Sequence, residues 1–154
     1  MDLHPDFRDL LAEFVRSGVS FVVVGGYAVG HHAKPRATKD LDLLVSGAPG
    51  NLARAATALE AFGAPPAVVA STRALGPTEV VYLGVEPVRV DVLRTIGGVE
   101  TEAVIGRGTS VDLGGGLVVP VIALDDLIAN KRAVGRPRDL ADVALLERAR
   151  AARR

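Results

Sequence analysis

Apolar positions at the start of the chain follow two different spacings. The first stripe repeats every three to four residues between Pro5 and Gly18 and therefore predicts an amphipathic helix. Its members are Phe7, Leu10, Leu11, Phe14 and Val15. The next run, 21–24, is continuous, apolar and rich in β-branched residues, as in a strand that is covered on both faces. The opening segment is thus predicted to be a helix followed by a buried strand.

A glycine pair and a polar connection separate this strand from the next one. Gly25-Gly26 predicts a tight turn that allows close backbone approach, followed by a short helix. The run 40–45 then predicts a second strand. His31 and His32 lie between them, and adjacent residues on a helix point in different directions, so they form a poor chelating pair. We expect surface or capping roles for these histidines.

Downstream, the pattern predicts further helices and short strands in one domain, 1–154. Helical periodicity covers 52–62 and 123–134, and Pro137 begins a final helix. The positions predicted to face inward on that helix are Leu140, Val143, Ala144 and the turn at Leu146 or Glu147. Strands are predicted at 79–83, 88–93, 109–113 and 117–121, with turns at 84–87 and 114–116, and Val68-Val69 suggests a short extra strand. The predicted fold class is α/β (α+β), a mixed β-sheet flanked by helices.

Two carboxylates lie on the second predicted strand. Asp40 and Asp42 are two residues apart, so their side chains project from the same face of a strand. Like charges held side by side repel unless a cation neutralises them, and a divalent metal ion is the usual partner. A glycine turn suited to phosphate lies directly before them in the chain. This combination indicates a metal-bound nucleotide.

A third carboxylate, Asp91, lies inside the predicted strand 88–93. A lone charge in such an apolar strand is costly unless it is exposed or paired. If its strand neighbours the strand of Asp40 and Asp42, the three carboxylates cluster. The alternation along the strand also permits a solvent-facing position beside Arg89.

These residues carry a family resemblance. Gly25-Gly26, followed by Pro35-Arg36-x-Thr38-x-Asp40-Leu41-Asp42-Leu43-Leu44-Val45, resembles the signature of the DNA polymerase beta-like nucleotidyltransferase superfamily. Within it, the chain is most similar to the minimal and abortive-infection (toxin–antitoxin) nucleotidyltransferases. The resemblance implies a palm-like fold with C-terminal helices and two Mg²⁺ ions, with Mn²⁺ as a substitute. It assigns the metal ions and catalysis to Asp40, Asp42 and Asp91, and the nucleotide to Gly25, Gly26, Arg36 and Thr38.

The C-terminal part resembles the same group. In the segment 126–142, the lysine that matches Lys131 is expected near the triphosphate, and Asp139 is expected to orient neighbouring basic side chains. The alternative is that Asp139 and Asp142 only cap the last helix. For Pro35 to Thr38, the alternative is a simple turn into the strand.

Composition limits the remaining choices. The chain has no cysteine, so a disulfide framework and a thiolate metal site are excluded. No apolar run is long enough to span a bilayer and no signal peptide opens the chain, so we expect a cytoplasmic protein without a membrane partner. From Lys131 onward there are eight basic residues and three acidic ones, against ten and fifteen before it. This basic end suits polyphosphate or RNA, and it equally fits a solvated helix face.

The sequence therefore predicts a nucleotidyltransferase that moves a nucleoside monophosphate from a nucleoside triphosphate, such as ATP, to an acceptor hydroxyl. By resemblance, the acceptor is a partner toxin or antitoxin protein, the end of a tRNA or a small molecule. The low aromatic content, 4%, weighs against nucleic acid. The alternatives are a catalytically silent antitoxin that acts by contact and a metal-dependent phosphodiesterase. A homo-oligomer is compatible with the sequence.

Overall fold

The computed structural model describes residues 3–154 as a six-stranded mixed sheet with seven helices. The strands lie in the order β3-β4-β2-β1-β6-β5. Their bounds are β1 Phe21–Val24, β2 Asp40–Val45, β3 Val80–Leu83, β4 Arg89–Leu93, β5 Thr109–Asp112 and β6 Val118–Val121. The helices are α1 Pro5–Arg16, α2 Gly25–His32, α3 Pro49–Phe62, α4 Pro66–Arg73, α5 Thr101–Gly106, α6 Leu124–Val134 and α7 Pro137–Ala152. The predicted fold class is confirmed.

The register of the central strands divides the sheet into an apolar face and a polar face. β2 pairs antiparallel with β1 and parallel with β4, and β4 pairs antiparallel with β3. Because side chains alternate along a strand, the aligned residues Leu43, Val92 and Val81 share one face, and all three are buried. α4 contacts β3 and packs against α3. Asp42 and Asp91 project from the opposite face, which is only partly covered.

Most predicted elements are present, with boundaries shifted by one to three residues. The two hairpins form, β3–β4 around residues 84–88 and β5–β6 around the glycine run, since both pairs are antiparallel neighbours. The helix after β1 begins at Gly25 itself, so the glycine pair forms its first turn instead of a separate turn before it. α3 begins at Pro49, three residues before the predicted helical periodicity starts at Leu52. Proline suits the first helical position because that position needs no N–H donor.

Two segments were predicted wrongly. Val68-Val69 lies in helix α4 and not in a strand, because Pro66 starts a helix whose buried positions are Val69 and Thr72. α5 was not predicted at all. It spans only Thr101–Gly106, too short for helical periodicity, and its start is fixed by the Glu100 side chain, which accepts from the amide of Ala103 at 2.8 Å.

The inward face of α7 also differs from the prediction. Val143 and Leu146 are buried as expected, but Leu140 is about half exposed and Ala144 is exposed. Two carboxylates, Asp139 and Asp142, are buried on this helix instead. Their burial is explained by the basic partners described below.

None of the helices within residues 3–154 has both the length and the apolar character needed to cross a membrane.

Candidate active site

The three predicted carboxylates lie together on the polar face of the sheet. β2 and β4 are parallel neighbours, and their register places Asp42 directly opposite Asp91. Asp40 is two residues before Asp42 on the same face. Each of the three offers an oxygen atom, and these oxygens lie within 4.8 Å of one another. The parallel pairing of two strands far apart in sequence therefore builds a carboxylate triad.

The electrostatics of the triad indicate missing positive charge. Burial, followed by the neighbouring carboxylates Asp91 and Asp40, raises the pKa of Asp42 to about 7. Burial also raises the pKa of Asp91. Oδ1 of Asp40 is buried and has no hydrogen-bond partner among the described residues. A cluster of oxygen ligands with an unpaired buried oxygen suits a hard divalent cation such as Mg²⁺ or Mn²⁺.

Arg89, from the start of β4, lies against the triad. Its Nη2 donates to Asp40 Oδ2 at 2.9 Å, and its Nε donates to Asp91 Oδ1 at 2.9 Å. The guanidinium also lies 5.2 Å from the centre of the Tyr82 ring. The sequence considered Arg89 only as a solvent-facing neighbour of Asp91. Its position two residues before Asp91 was the signal that it shares the face of the triad.

The glycine pair is required by the triad itself. Gly25 has φ +70°, a conformation that disfavours any other residue, and a Cβ there would overlap Asp42 Oδ2. At Gly26 a Cβ would lie 2.8 Å from the methyl carbon of Thr38. The hydroxyl of Thr38 donates to the Arg36 carbonyl at 3.3 Å. The start of α2 is thereby held directly against β2 and the segment before it.

A second group of charges lies on α6 and α7. Lys131 is buried, with its side chain 10% exposed, and its Nζ lies 3.3 Å from Asp139 Oδ1 and 3.2 Å from Asp142 Oδ2. The Arg136 Nε donates to Asp139 Oδ2 at 2.6 Å, and Arg36 pairs with Asp142 through both of its terminal nitrogens. We call these five residues the charge network. Asp139 thus orients basic side chains, as the resemblance implied, and also forms a capping box with Arg136.

The triad and four members of the charge network, Arg36, Lys131, Arg136 and Asp139, line one cavity of about 800 Å³, within the usual size range of ligand sites. All the predicted site residues line it: Gly25, Gly26, Arg36, Thr38, Asp40, Asp42, Asp91 and Lys131. Six basic side chains line it: Arg36, Lys39, Arg89, Lys131, Arg136 and Arg138. Within the part of the chain that the structure describes, five of them pair with carboxylates and Arg138 does not.

The two histidines lie away from the triad. The predicted surface role is wrong for His32, which is buried. Its Nε2 lies 2.7 Å from the carbonyl oxygen of Ile122, an acceptor that fixes the proton on Nε2. Burial lowers the pKa of both His31 and His32. The sequence also gave no role to Asp142, beyond capping, or to Arg138. A signal for Asp142 was available, because it lies three residues after Asp139 and therefore on the same helix face.

The fold and the triad define a class of protein. The chain is similar to the solution structure of the antibiotic-resistance factor ANT(2'')-Ia, with a TM-score of 0.56 at 14% identity over 96% of this chain and 88% of that one. It is similarly related to the crystal structure of ANT(2'')-Ia in complex with adenylyl-2''-tobramycin, with a TM-score of 0.57 at 14% identity over 95% and 93%. At this identity the match shows a shared fold.

The family is shown by sequence. Residues 4–152 match the model of the family described as nucleotidyl transferase of unknown function (DUF2204), and the chain belongs to this family. No curated protein sequence matches the chain. Membership of the nucleotidyltransferase superfamily is thereby confirmed, whereas the predicted resemblance to toxin–antitoxin members stays a prediction.

Proposed function

We propose that this protein is a metal-dependent nucleotidyltransferase that moves a nucleoside monophosphate from a nucleoside triphosphate to an acceptor hydroxyl. The observation that carries the proposal is the arrangement of the cavity. A triad of carboxylates lies on two parallel strands, and a cluster of basic side chains on α6 and α7 faces it. A magnesium–triphosphate complex has complementary parts, a cation for the triad and phosphates for the basic side chains.

In this proposal Asp40, Asp42 and Asp91 hold two Mg²⁺ ions, which Mn²⁺ can replace. The residues fit the ions, because the triad has three carboxylates, an unpaired buried oxygen on Asp40 and a strongly raised pKa on Asp42. When bound, the ions supply charge stabilisation at the reacting phosphate and lower the pKa of an oxygen nucleophile. The chain itself fixes the three carboxylates on a rigid pair of strands.

The triphosphate is held by other groups that line the same cavity. The amides of Gly25 and Gly26 are the first of α2 and have no acceptor within that helix, so they are available to phosphate oxygens. Lys131, Arg36 and Thr38 line the same cavity. Lys131 already faces two carboxylates, so its position is fixed before the ligand binds, which lowers the cost of ordering it.

The reaction is an in-line displacement. The acceptor oxygen forms a bond to the α-phosphorus while the bond from that phosphorus to the bridging oxygen breaks. Pyrophosphate leaves with the electron pair, and the proton of the acceptor hydroxyl leaves to water on the open side of the cavity. Positive charge from Lys131 and Arg36 offsets the charge that develops on the pyrophosphate.

Three classes of acceptor hydroxyl fit this proposal. They are a hydroxyl of a partner protein, as in a toxin–antitoxin pair, the end of a tRNA, and a small molecule. The complex of ANT(2'')-Ia with adenylyl-2''-tobramycin makes ATP and a small-molecule hydroxyl the natural first pair to test. The complete triad and glycine pair weigh against a silent antitoxin that acts only by contact. A cytoplasmic location, where nucleoside triphosphates are available, belongs to the same proposal.

The test uses each α-labelled nucleoside triphosphate with Mg²⁺ and, in turn, host protein, host RNA and a panel of hydroxyl-bearing small molecules. We expect the wild type to transfer label to one acceptor class and Asp40→Ala/Asp42→Ala to transfer none. Asp9→Ala is the matched control, since Asp9 is exposed on α1 and lies outside the cavity.

Two results would contradict the proposal. Phosphodiester hydrolysis by the wild type without any nucleoside triphosphate would identify a phosphodiesterase. Neutralisation of a partner protein that survives Asp42→Ala, with no nucleotide binding by the wild type, would identify a contact antitoxin.

A further inference from the structure

The positive charge that lies against the triad in this structure is a side chain of the protein itself, the guanidinium of Arg89. Arg89 donates to Asp40 and to both oxygens of Asp91, the longest of these bonds being 3.3 Å. The same two residues, Asp40 and Asp91, each offer an oxygen atom to a metal ion in the triad. A carboxylate oxygen whose lone pairs point at a guanidinium is less available to a second cation, and the two positive charges repel. Arg89 and a metal ion therefore compete for the same carboxylates.

Arg89 compensates the triad only in part. It brings one positive charge to three carboxylates, and within residues 3–154 no hydrogen bond or ion pair joins it to Asp42. It also leaves Oδ1 of Asp40 without a hydrogen bond. An arginine that served as the permanent partner of these groups would be expected to satisfy the buried oxygens. Arg89 therefore supplies only part of the positive charge that a divalent metal ion would bring to the triad.

Two further groups that suit a guanidinium lie beside the triad. Glu86 Oε1 lies 4.0 Å from Arg89 Nη1, and the Tyr82 ring lies 5.2 Å from the guanidinium carbon. The side chains of Arg89 and Glu86 are 30% and 49% exposed, so solvent reaches both of them. A carboxylate and an aromatic face are both favourable partners for a displaced guanidinium. Leaving the triad thus does not leave Arg89 without partners.

We propose that Arg89 is a resident counter-cation that holds the empty triad together and exchanges with the incoming metal ion. This inference rests on the proposed function in one respect, namely that the triad binds a divalent cation. Arg89 then stabilises the metal-free protein and lowers its affinity for free metal. On exchange, Arg89 shifts toward Glu86 and Tyr82. Without a cation the three carboxylates repel one another, and the guanidinium offsets part of that repulsion in the empty site.

The test is direct binding of Mn²⁺, followed through the electron paramagnetic resonance signal of the free ion, with thermal unfolding measured on the same samples. We expect Arg89→Gln to bind Mn²⁺ more tightly than wild type, on the order of tenfold, which is the scale of one partly exposed ion pair. Without metal, Arg89→Gln unfolds at a lower temperature than wild type. Saturating Mn²⁺ narrows this gap, because the ion replaces the lost guanidinium.

Three further variants sharpen the result. Arg73→Gln removes an exposed arginine of α4 outside the cavity and leaves both readouts at wild-type values. Asp42→Asn removes Mn²⁺ binding and shows that the measured ion is in the triad. Arg89→Lys keeps the charge but loses the fork that reaches two carboxylates, so its Mn²⁺ affinity lies between those of wild type and Arg89→Gln. If Arg89→Gln does not fold, Arg89→Lys carries the test.

Two outcomes overturn the inference, and they are distinguishable. If wild type binds Mn²⁺ through Asp42 while both Arg89 variants bind it equally or more weakly, Arg89 supports the bound metal, and only the inference fails. If no variant binds Mn²⁺, with or without a nucleoside triphosphate, the metal site of the proposed function fails together with it.

Discussion

The triad on the sheet and the charge network on α6 and α7 use the same residue types in opposite ways. In the network, Asp139 is fully buried and meets two basic side chains, and the hydrogen bond from Arg136 is the largest cause that lowers its pKa to about 2. In the triad, burial and like charges raise the pKa of Asp42 to about 7. Asp139 is thus an anion with its basic partners in place, whereas Asp42 lacks a neutralising cation.

This difference separates scaffold from reaction site. A buried carboxylate whose oxygens all have basic partners stabilises a single arrangement of its neighbours. Asp142 fixes Lys131 and Arg36 beside the cavity in this way. A carboxylate without them costs stability until a ligand arrives, which is typical of functional sites. The carboxylates on the strands therefore lack enough basic partners, whereas the buried carboxylates on α7 have them.

The largest expected effect is on the triad. We expect Asp42→Asn to lower the rate of nucleotidyl transfer by on the order of 10³-fold, because the amide removes an anionic ligand at the centre of the cluster. The same change relieves repulsion with Asp91, so the free energy of unfolding without metal stays equal or rises. Label transfer and urea denaturation measure the two quantities. A large loss of stability without metal would show that the triad is a structural network like the other.

The network is expected to respond in the opposite way. Asp142→Ala leaves Lys131 with one carboxylate and Arg36 with none, so the free energy of unfolding falls by about 3 kcal/mol, the scale for breaking a buried ion pair. Urea denaturation measures it. Asp125→Ala is the matched control, because Asp125 pairs with Arg150 at 2.9 Å but is 80% exposed, and its loss costs less than about 0.5 kcal/mol. Equal effects from the two variants would remove the distinction.

Acid provides a third way to separate the regions. The pKa of Asp139 falls from the model-peptide value of 3.8 to about 2 on folding, so the unfolded chain binds more protons between these values. Its contribution to stability, about 2 kcal/mol, is therefore complete above about pH 5 and is lost progressively as the pH falls through 3.8 toward the folded pKa of about 2. Unfolding free energies measured from pH 6 to pH 2 should decline less steeply in Asp139→Asn than in wild type. Parallel curves would contradict this assignment.

Much of this could be predicted from the sequence, because the relevant patterns are local. The two-residue spacing of Asp40 and Asp42 places both side chains on one face of a strand. The pair Gly25-Gly26 predicts that the backbone there approaches a neighbouring group closely. Asp91 was identified as an unpaired charge in an apolar strand. Parallel pairing of β2 with β4 then explains why all three meet, although 49 residues separate the partners Asp42 and Asp91.

The remaining features depend on tertiary contacts that no local pattern encodes. Leu140 was predicted to face inward, yet the buried positions of α7 are taken by Asp139 and Asp142, because Lys131 lies beneath them. Binary patterning places apolar residues inside and cannot anticipate that a paired carboxylate is buried in their place. The role of Arg89 was hidden for a similar reason, since its contact with Asp40 crosses from one strand to the next.

The smallest expected effect concerns Arg138. It tests whether a basic side chain without a carboxylate partner contributes to binding of the triphosphate. Arg138 lines the cavity and pairs with no carboxylate among the described residues, so an incoming phosphate need not displace an existing partner. We expect Arg138→Gln to raise KM for the nucleoside triphosphate about fivefold, the scale of one exposed charge contact, while kcat changes little. Arg148→Gln, on an exposed position of the same helix outside the cavity, should leave KM unchanged. If both variants raise KM equally, the effect is that of net charge. If Arg138→Gln lowers kcat and leaves KM alone, Arg138 acts on the developing pyrophosphate instead of the bound triphosphate.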